Sequence, residues 1–178
     1  MVKESELLML KRNAIMLGLC GEYKGKWDSC ITKKELVDMA LDSNGVEFMA
    51  DSMAFEWGLS KEYLQREFEE YMNGLYQRSG NGYTSEMYVG AHGIMKLKST
   101  ITLIAYCDGL EIDVPEHFIG KVYVCGGSNV KIENKGGVEL YVYGKNAIKL
   151  IEHDNSYSVR EDVVSSKWDS PVHNKAKT

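Results

Sequence analysis

The sequence predicts an α+β protein: a helical N-terminal part of about four helices packed on a C-terminal repetitive β part, read as a short parallel β-solenoid with 18-residue coils. Three observations carry this reading. Apolar residues recur at helical spacing in the first half of the chain. Three consecutive segments in the second half match one another without a gap at a step of 18 residues. Glycine turns fall at the same point in each segment. The organisation that follows is a helical part over 1–86, a repetitive β part over 87–153 and a polar tail over 154–178.

The first helix is expected at about 4–19, where Leu7, Leu8, Leu10, Ala14, Ile15 and Leu17 form a broad apolar face and Gly21 is a stop. Residues 22–27 then read as a loop that folds Tyr23 and Trp27 onto the core, with a ligand site as the alternative. Thr32-Lys33-Lys34-Glu35 is a capping box, opening a helix through Leu36, Val37, Met39 and Ala40. A third helix, Val46 to Trp57, carries Phe48, Met49, Met53 and Phe55 as core, or as the lining of a cofactor or partner groove. Ser60 caps a fourth helix over about 61–72. Its outer face holds Glu62, Glu67, Glu69 and Glu70, which is either a solvated face or a docking surface for a basic partner. Residues 75–87 read as a connector.

In the repetitive half, Ile104-Ala105-Tyr106-Cys107 aligns with Val122-Tyr123-Val124-Cys125 and with Leu140-Tyr141-Val142-Tyr143. Ile112 then aligns with Val130 and Ile148, and Val114 with Ile132 and Leu150. A weaker fourth unit precedes these, with Tyr88 over Tyr106 and Ile94 over Ile112. Each unit reads strand, turn, strand. Equal unit lengths favour stacked coils; an antiparallel meander is the alternative, since Asp108-Gly109 is a hairpin signal. Stacking at this step buries the columns Ile104–Val122–Leu140 and Tyr106–Val124–Val142. It turns Ala105–Tyr123–Tyr141 and Cys107–Cys125–Tyr143 outward as an apolar, aromatic strip, which must pack on the chain's own helices or on another protein. Cys107 and Cys125 would be neighbours, read as inert thiols. His117 and His153, two steps apart, could share a column, with a surface histidine as the default reading of each. The tail either frays or caps the stack through Trp168 or Val163-Val164.

Composition narrows the function classes. Hydrophobic residues are 44% and charged residues 26%, the balance of a globular chain. The net charge of −5 sits wholly in residues 1–86, which hold 10 basic and 15 acidic residues. No basic cluster marks a nucleic-acid interface. No apolar run is long enough to span a bilayer, and the N-terminus lacks the order of a secretory signal, so a cytoplasmic location is expected. No nucleophile elbow, phosphate loop, dinucleotide fingerprint or zinc-protease motif occurs, so no catalytic residue, cofactor or metal ligand is assigned.

Several segments together resemble one family. They are Leu17-Gly18-Leu19-Cys20, Lys26-Trp27, Lys34-Glu35-Leu36, the run from Ala50 to Tyr63, Asn73-Gly74 with Tyr76, and Gly82-Tyr83-Thr84-Ser85. The chain is similar, over about residues 10–150, to short hypothetical proteins encoded by phages and conjugative elements of gut Bacteroidetes. The resemblance implies an accessory gene product of a mobile element, made inside a bacterial cell, and brings no catalytic residue with it.

The expected function is therefore non-enzymatic binding, through the aromatic β face (Tyr123, Tyr141, Tyr143) or the acidic helix (Glu67, Glu70), with a protein partner or self-association. Blocking host defence is one version of it. A second expectation is a small-molecule sequestering protein, for a nucleotide or sugar, with a pocket around Trp27, Trp57, Tyr123 and Tyr141. A minor virion or assembly component, and an enzyme with an unrecognised site, are the remaining alternatives.

Overall fold

The computed structural model describes Lys11, residues 21–54 and residues 59–163. The first expected helix apart from Lys11, Trp57 and the tail after Val163 lie outside the described residues. No described helix is long and apolar enough to cross a membrane.

The β part is a parallel solenoid, as the repeat predicts, and not a meander. Each coil is one strand of a first sheet (sheet A) followed by one strand of a second (sheet B). The coils are β2 (Tyr83–Val89) with β3 (Gly93–Lys96), β4 (Ile101–Ala105) with β5 (Asp108–Val114), β6 (Ile119–Cys125) with β7 (Asn129–Asn134), and β8 (Gly137–Tyr143) with β9 (Ala147–Glu152). A last strand, β10 (Tyr157–Val163), adds to sheet A, whose order is β1-β2-β4-β6-β8-β10; sheet B runs β3-β5-β7-β9. The pairings are parallel except that of β1 (Arg78–Gly80) with β2. That pair is a hairpin turning at Asn81-Gly82, with Gly82 at φ 77°. The expected connector over 75–87 is thus partly strand, and the β part begins at Arg78. Asn-Gly supplies the left-handed backbone that a two-residue hairpin needs. At Asp108-Gly109 the chain instead makes an irregularity inside β5, with Gly109 at φ 77°.

The stacking step is about 18 residues but varies. Ser85 lies beside Ile101 (16), Ile101 beside Lys121 (20), Val122 beside Leu140 (18) and Gly137 beside Tyr157 (20). All four steps are even, so no side chain changes face, but the expected columns slip by two residues. The inward columns are Ile104–Val124–Val142 and Thr102–Val122–Leu140. The outward ones are Leu103–Tyr123–Tyr141 and, on β4 and β6, Ala105–Cys125, with Tyr143 next along β8. In sheet B, Ile112 pairs with Ile132 and Leu110 with Val130; in the first coil Tyr88 pairs with Ile104 and Ile94 with Glu111. The slip also separates the two thiols. Cys107 belongs to the solenoid interior, while Cys125 belongs to the layer under the helices. Tyr106 leaves the interior altogether: its backbone is left-handed (φ 56°) and its hydroxyl donates to the Leu59 carbonyl at 2.6 Å.

Two cores result. One fills the solenoid with Ile104, Leu110, Ile112, Val122, Val124, Ile132, Leu140 and their neighbours. The other lies between sheet A and the helices, joining Val46, Ala50, Met53, Leu64 and Phe68 to Leu103, Tyr123, Cys125 and Tyr143. The helical layer is α1 (Gly21–Ser29), α2 (Lys33–Ala40), α3 (Gly45–Ala54) and α4 (Lys61–Phe68), the last running into a 3-10 turn over Glu69–Tyr71. The expected loop at 22–27 is helix α1, supported by the Glu22–Lys26 pair one turn apart at 2.7 Å. The capping box of α2 forms as expected: the Glu35 N–H donates to the Thr32 hydroxyl, and Glu35 accepts from the Thr32 N–H. The α2–α3 corner requires Gly45, since a Cβ there would stand 2.3 Å from the Met39 carbonyl oxygen.

Candidate functional site: a groove on the turn row

The uneven coil step has a local cause with a geometric consequence. The connections from sheet B back to sheet A hold four residues at 97–100, four at 115–118, two at 135–136 and four at 153–156. One short turn therefore lies between two long ones. The stacked strands are about 4.8 Å apart, so the long turns stand about 9.6 Å from each other across the short one. The space left is an open groove of about 400 Å³. Its floor is Gly136-Gly137, and its walls come from Glu116 to Ile119 on one side and Asp154, Asn155 and Tyr157 on the other.

The two walls are matching β-turns. The Phe118 N–H donates to the Pro115 carbonyl at 3.3 Å, and the Ser156 N–H donates to the His153 carbonyl at 3.1 Å. In each turn the third residue has positive φ, 63° at His117 and 65° at Asn155. In each the second residue is a carboxylate, Glu116 or Asp154. Strand register carries the equivalence onward, because Ile119 and Tyr157 both pair with Gly137. His117 consequently matches Asn155 and not His153, which corrects the shared histidine column. His153 instead meets Glu133 through Nε2 at 2.7 Å, which with Lys131 holds the Glu133 carboxyl down at about 2.

Backbone bonds tie the groove floor to both walls. Gly137 N–H donates to Phe118 O at 2.8 Å, and Tyr157 N–H donates to Gly136 O at 2.9 Å. Asn134, fully buried, links the short turn to the wall: its Oδ1 accepts from Gly136 N–H at 3.1 Å, and its Nδ2 donates to Tyr157 O and to Glu152 Oε2, each at 2.9 Å. Floor glycine Gly137 is set by the Tyr157 ring, whose Cε1 would lie 2.5 Å from a Cβ there. The groove margin is apolar for an exposed surface, with Ile119 59% exposed, Tyr157 50% and Val159 59%. Its charge is negative. Glu116 and Asp154 stand on the walls, and Lys135 between them pairs with Asp113 at 2.7 Å and is also held protonated by Glu116.

The residues singled out from sequence lie elsewhere. Tyr123 is 2% exposed and stacks on Tyr141, ring centroids 4.9 Å apart, with its hydroxyl 3.4 Å from Glu47 of α3. Burial pushes the phenols of Tyr123 and Tyr143 far above their usual range, and that of Tyr141 up to about 12. Tyr123 and Tyr143 thus face the chain's own helices, and the partner-facing role expected of them is corrected. Only Tyr141, half-buried, reaches the edge of that layer, where its hydroxyl donates to Glu139 at 2.9 Å. Trp27 packs at the border of the helix–sheet core, and Trp57 lies outside the described residues. Glu67 is half-buried and tied to Lys33 of α2 at 3.5 Å and to Arg66 at 2.9 Å, which makes it an inter-helix link; Glu70 is exposed. The described residues hold no cluster of three or more His, Cys, Asp or Glu fit for a metal ion. The groove residues Glu116, Asp154, Ile119 and Tyr157 escape a gap-free repeat alignment. Their available signal is Gly136-Gly137 standing where neighbouring coils carry a longer turn.

No family model matches the chain, and neither the curated proteins nor the solved structures contain a match to it.

Proposed function

We propose that this chain is a non-enzymatic binding protein that meets a protein partner at the margin of sheet A, where the groove lies. The carrying observation is the two-residue-short turn between two matching long ones, which leaves a preformed slot beside exposed Ile119, Tyr157 and Val159. Preformed, hydrogen-bonded walls lower the ordering cost of association. The aromatic β face no longer supports the reading, because α3 covers it. The family resemblance supports a place for the protein inside a bacterial cell, as an accessory product of a phage or other mobile element. Paired carboxylates across a groove also occur in hydrolases, but Glu116 and Asp154 are both exposed, without the burial that makes one of such a pair a general acid. A groove of about 400 Å³ also suits a small molecule, which is the second reading.

Affinity purification from the native host tests the proposal with three baits: the wild type, an Ile119→Lys/Tyr157→Ala variant and a sheet-B control, Lys149→Ala. A protein held by wild type and control but lost by the groove variant is the expected result. A partner set identical for all three baits overturns it.

A further inference from the structure

We propose that the free edge of sheet A is a self-association surface, where β10 of one molecule pairs antiparallel with β10 of a second copy about a two-fold axis through Glu161. This stands apart from the groove reading, because it uses the backbone edge of β10 and not the turn row. Three observations lead to it. First, sheet A ends at β10, whose seven residues have β8 on one side and no described strand on the other. The Tyr157 N–H donates to the Gly136 carbonyl, so the backbone groups of Tyr157, Val159 and Glu161 turn toward β8. Those of Ser158, Arg160 and Asp162 turn toward the open edge, and such an unpaired row is a template for another strand.

Second, register fixes where the charges stand. Arg160 pairs with Leu140 and Asp162 with Val142, both residues of the solenoid interior, so the two charged side chains lie on the inner side of the sheet. They tolerate that side because sheet B ends one level earlier, at β9, among the described residues. Both are exposed, and they meet each other at 3.1 Å. Third, the order Val159-Arg160-Glu161-Asp162-Val163 is its own complement when reversed. With the axis at Glu161, Arg160 of each copy lies opposite Asp162 of the other, and Val159 lies opposite Val163. Arg160 and Asp162 are also the residues whose backbone groups face the edge, so they make the hydrogen-bonded pairs of the new ladder. An axis at Arg160 would set that residue against itself and Val159 against Glu161.

Charge selects the occupant. Edge charges usually deter pairing, because a strand of arbitrary sequence leaves them unmatched. An acidic strand from another protein would suit Arg160 and repel Asp162, and a basic strand would do the reverse; a second copy satisfies both. The one conflict is Glu161, which meets its own copy at the axis and keeps the dimer weak.

The test uses the full chain in sedimentation equilibrium from about 10 μM to 1 mM, with amide hydrogen exchange at both ends of that range. Expected is a dimer with Kd on the order of 100 μM, and slower exchange of the Arg160 and Asp162 amides at the higher concentration. Arg160→Asp and Asp162→Arg, both at exposed positions, should each weaken the dimer at least about tenfold while leaving the melt unchanged. A one-to-one mixture of these two variants should dimerise again to within about threefold of wild type, because each then brings the charges the other lacks. Glu161→Gln should tighten the wild-type dimer about threefold. A monomer throughout the range overturns the proposal, including one whose Arg160 and Asp162 amides are protected at every concentration, which would mean that the chain covers its own edge. So does a dimer that neither charge reversal weakens, or a mixture no tighter than either variant alone.

Discussion

At the scale of single residues, the sharpest conflict is Glu86. It sits on β2, fully buried, and neither carboxylate oxygen has a hydrogen bond of good geometry, although the Ser99 and Tyr88 hydroxyls stand close enough to favour its ionised form. Lys98 Nζ, half exposed at the mouth, stands 3.5 Å away. Burial raises the Glu86 carboxyl above its ordinary range, and Lys98 pulls it partly back. The folded state therefore holds the proton more tightly than the unfolded chain. Its contribution to stability is complete below the unfolded carboxylate range, about 4.3, and is lost as pH rises through the higher folded value. Glu86→Gln stays neutral throughout. Its urea midpoint should match wild type near pH 4 and exceed it at pH 8, by about 1–3 kcal/mol in stability. Lys98→Met in the wild-type background should steepen the loss on the alkaline side. Equal midpoints for wild type and Glu86→Gln at both pH values would show that Glu86 is solvated after all. Asn134 is the opposite case, a buried polar group with every bond made. Asn134→Ala should cost about 1–3 kcal/mol by thermal or urea unfolding, since it leaves the buried Gly136 N–H without its acceptor and takes one of two donors from the Tyr157 carbonyl. A loss under 0.5 kcal/mol, the ordinary scatter of surface changes, would place those groups in water.

At the scale of elements, coil length is the variable that makes the groove. Two residues inserted between Lys135 and Gly136 would bring that coil to the length of its neighbours. The cost should be small, about 1–2 kcal/mol for loop closure and the loss of one or two turn bonds. The fold should survive, judged by circular dichroism and a cooperative melt, while the insertion bait loses the protein that the wild type captures. An insertion that melts the protein would instead make the short turn a folding requirement. This element also marks the limit of what the sequence discloses. The strand faces were legible, because Val122, Val124, Leu140 and Val142 alternate with Tyr123, Tyr141 and Tyr143 at period two. The capping box at Thr32–Glu35 and the Ser60 cap were legible because local chemistry alone decides them. The register was not. Ile104 matches both Val122 and Val124 in character, so apolar patterning cannot tell a step of 18 from one of 20. The choice is made by the turn at 115–118, whose extra residues no periodicity reveals. The helix α1 escaped for a similar reason: it has no buried residue and hence no apolar stripe to read.

For the whole molecule, the question is whether its two cores open together. The helices cover one face of sheet A, with most of their described contact through α3 on β6, β4 and β8. The solenoid has its own interior, closed by strand ladders on both sides. Contacts within the stack are thus far denser than those joining it to the helices, and the lower-stability unit should be the helical layer. The two buried cysteines report on the two cores separately. Cys125 lies beneath Met53, sulfur to sulfur 3.9 Å, whereas Cys107 lies inside the coils with its sulfur 3.4 Å from the Ala105 carbonyl. Burial raises both thiols, so neither reacts until its cover opens. Alkylation in dilute urea, followed by peptide mass spectrometry, should therefore modify Cys125 before Cys107. The apparent opening free energy of Cys125 should be lower by at least about 1 kcal/mol, roughly a fivefold difference in labelling rate at one urea concentration. Met53→Ala, which removes the side chain covering Cys125 and leaves the solenoid interior in place, should speed Cys125 further and leave Cys107 unchanged. Equal rates at both cysteines in every condition would mean that helices and coils form a single cooperative unit, with the solenoid depending on its cover to stay folded.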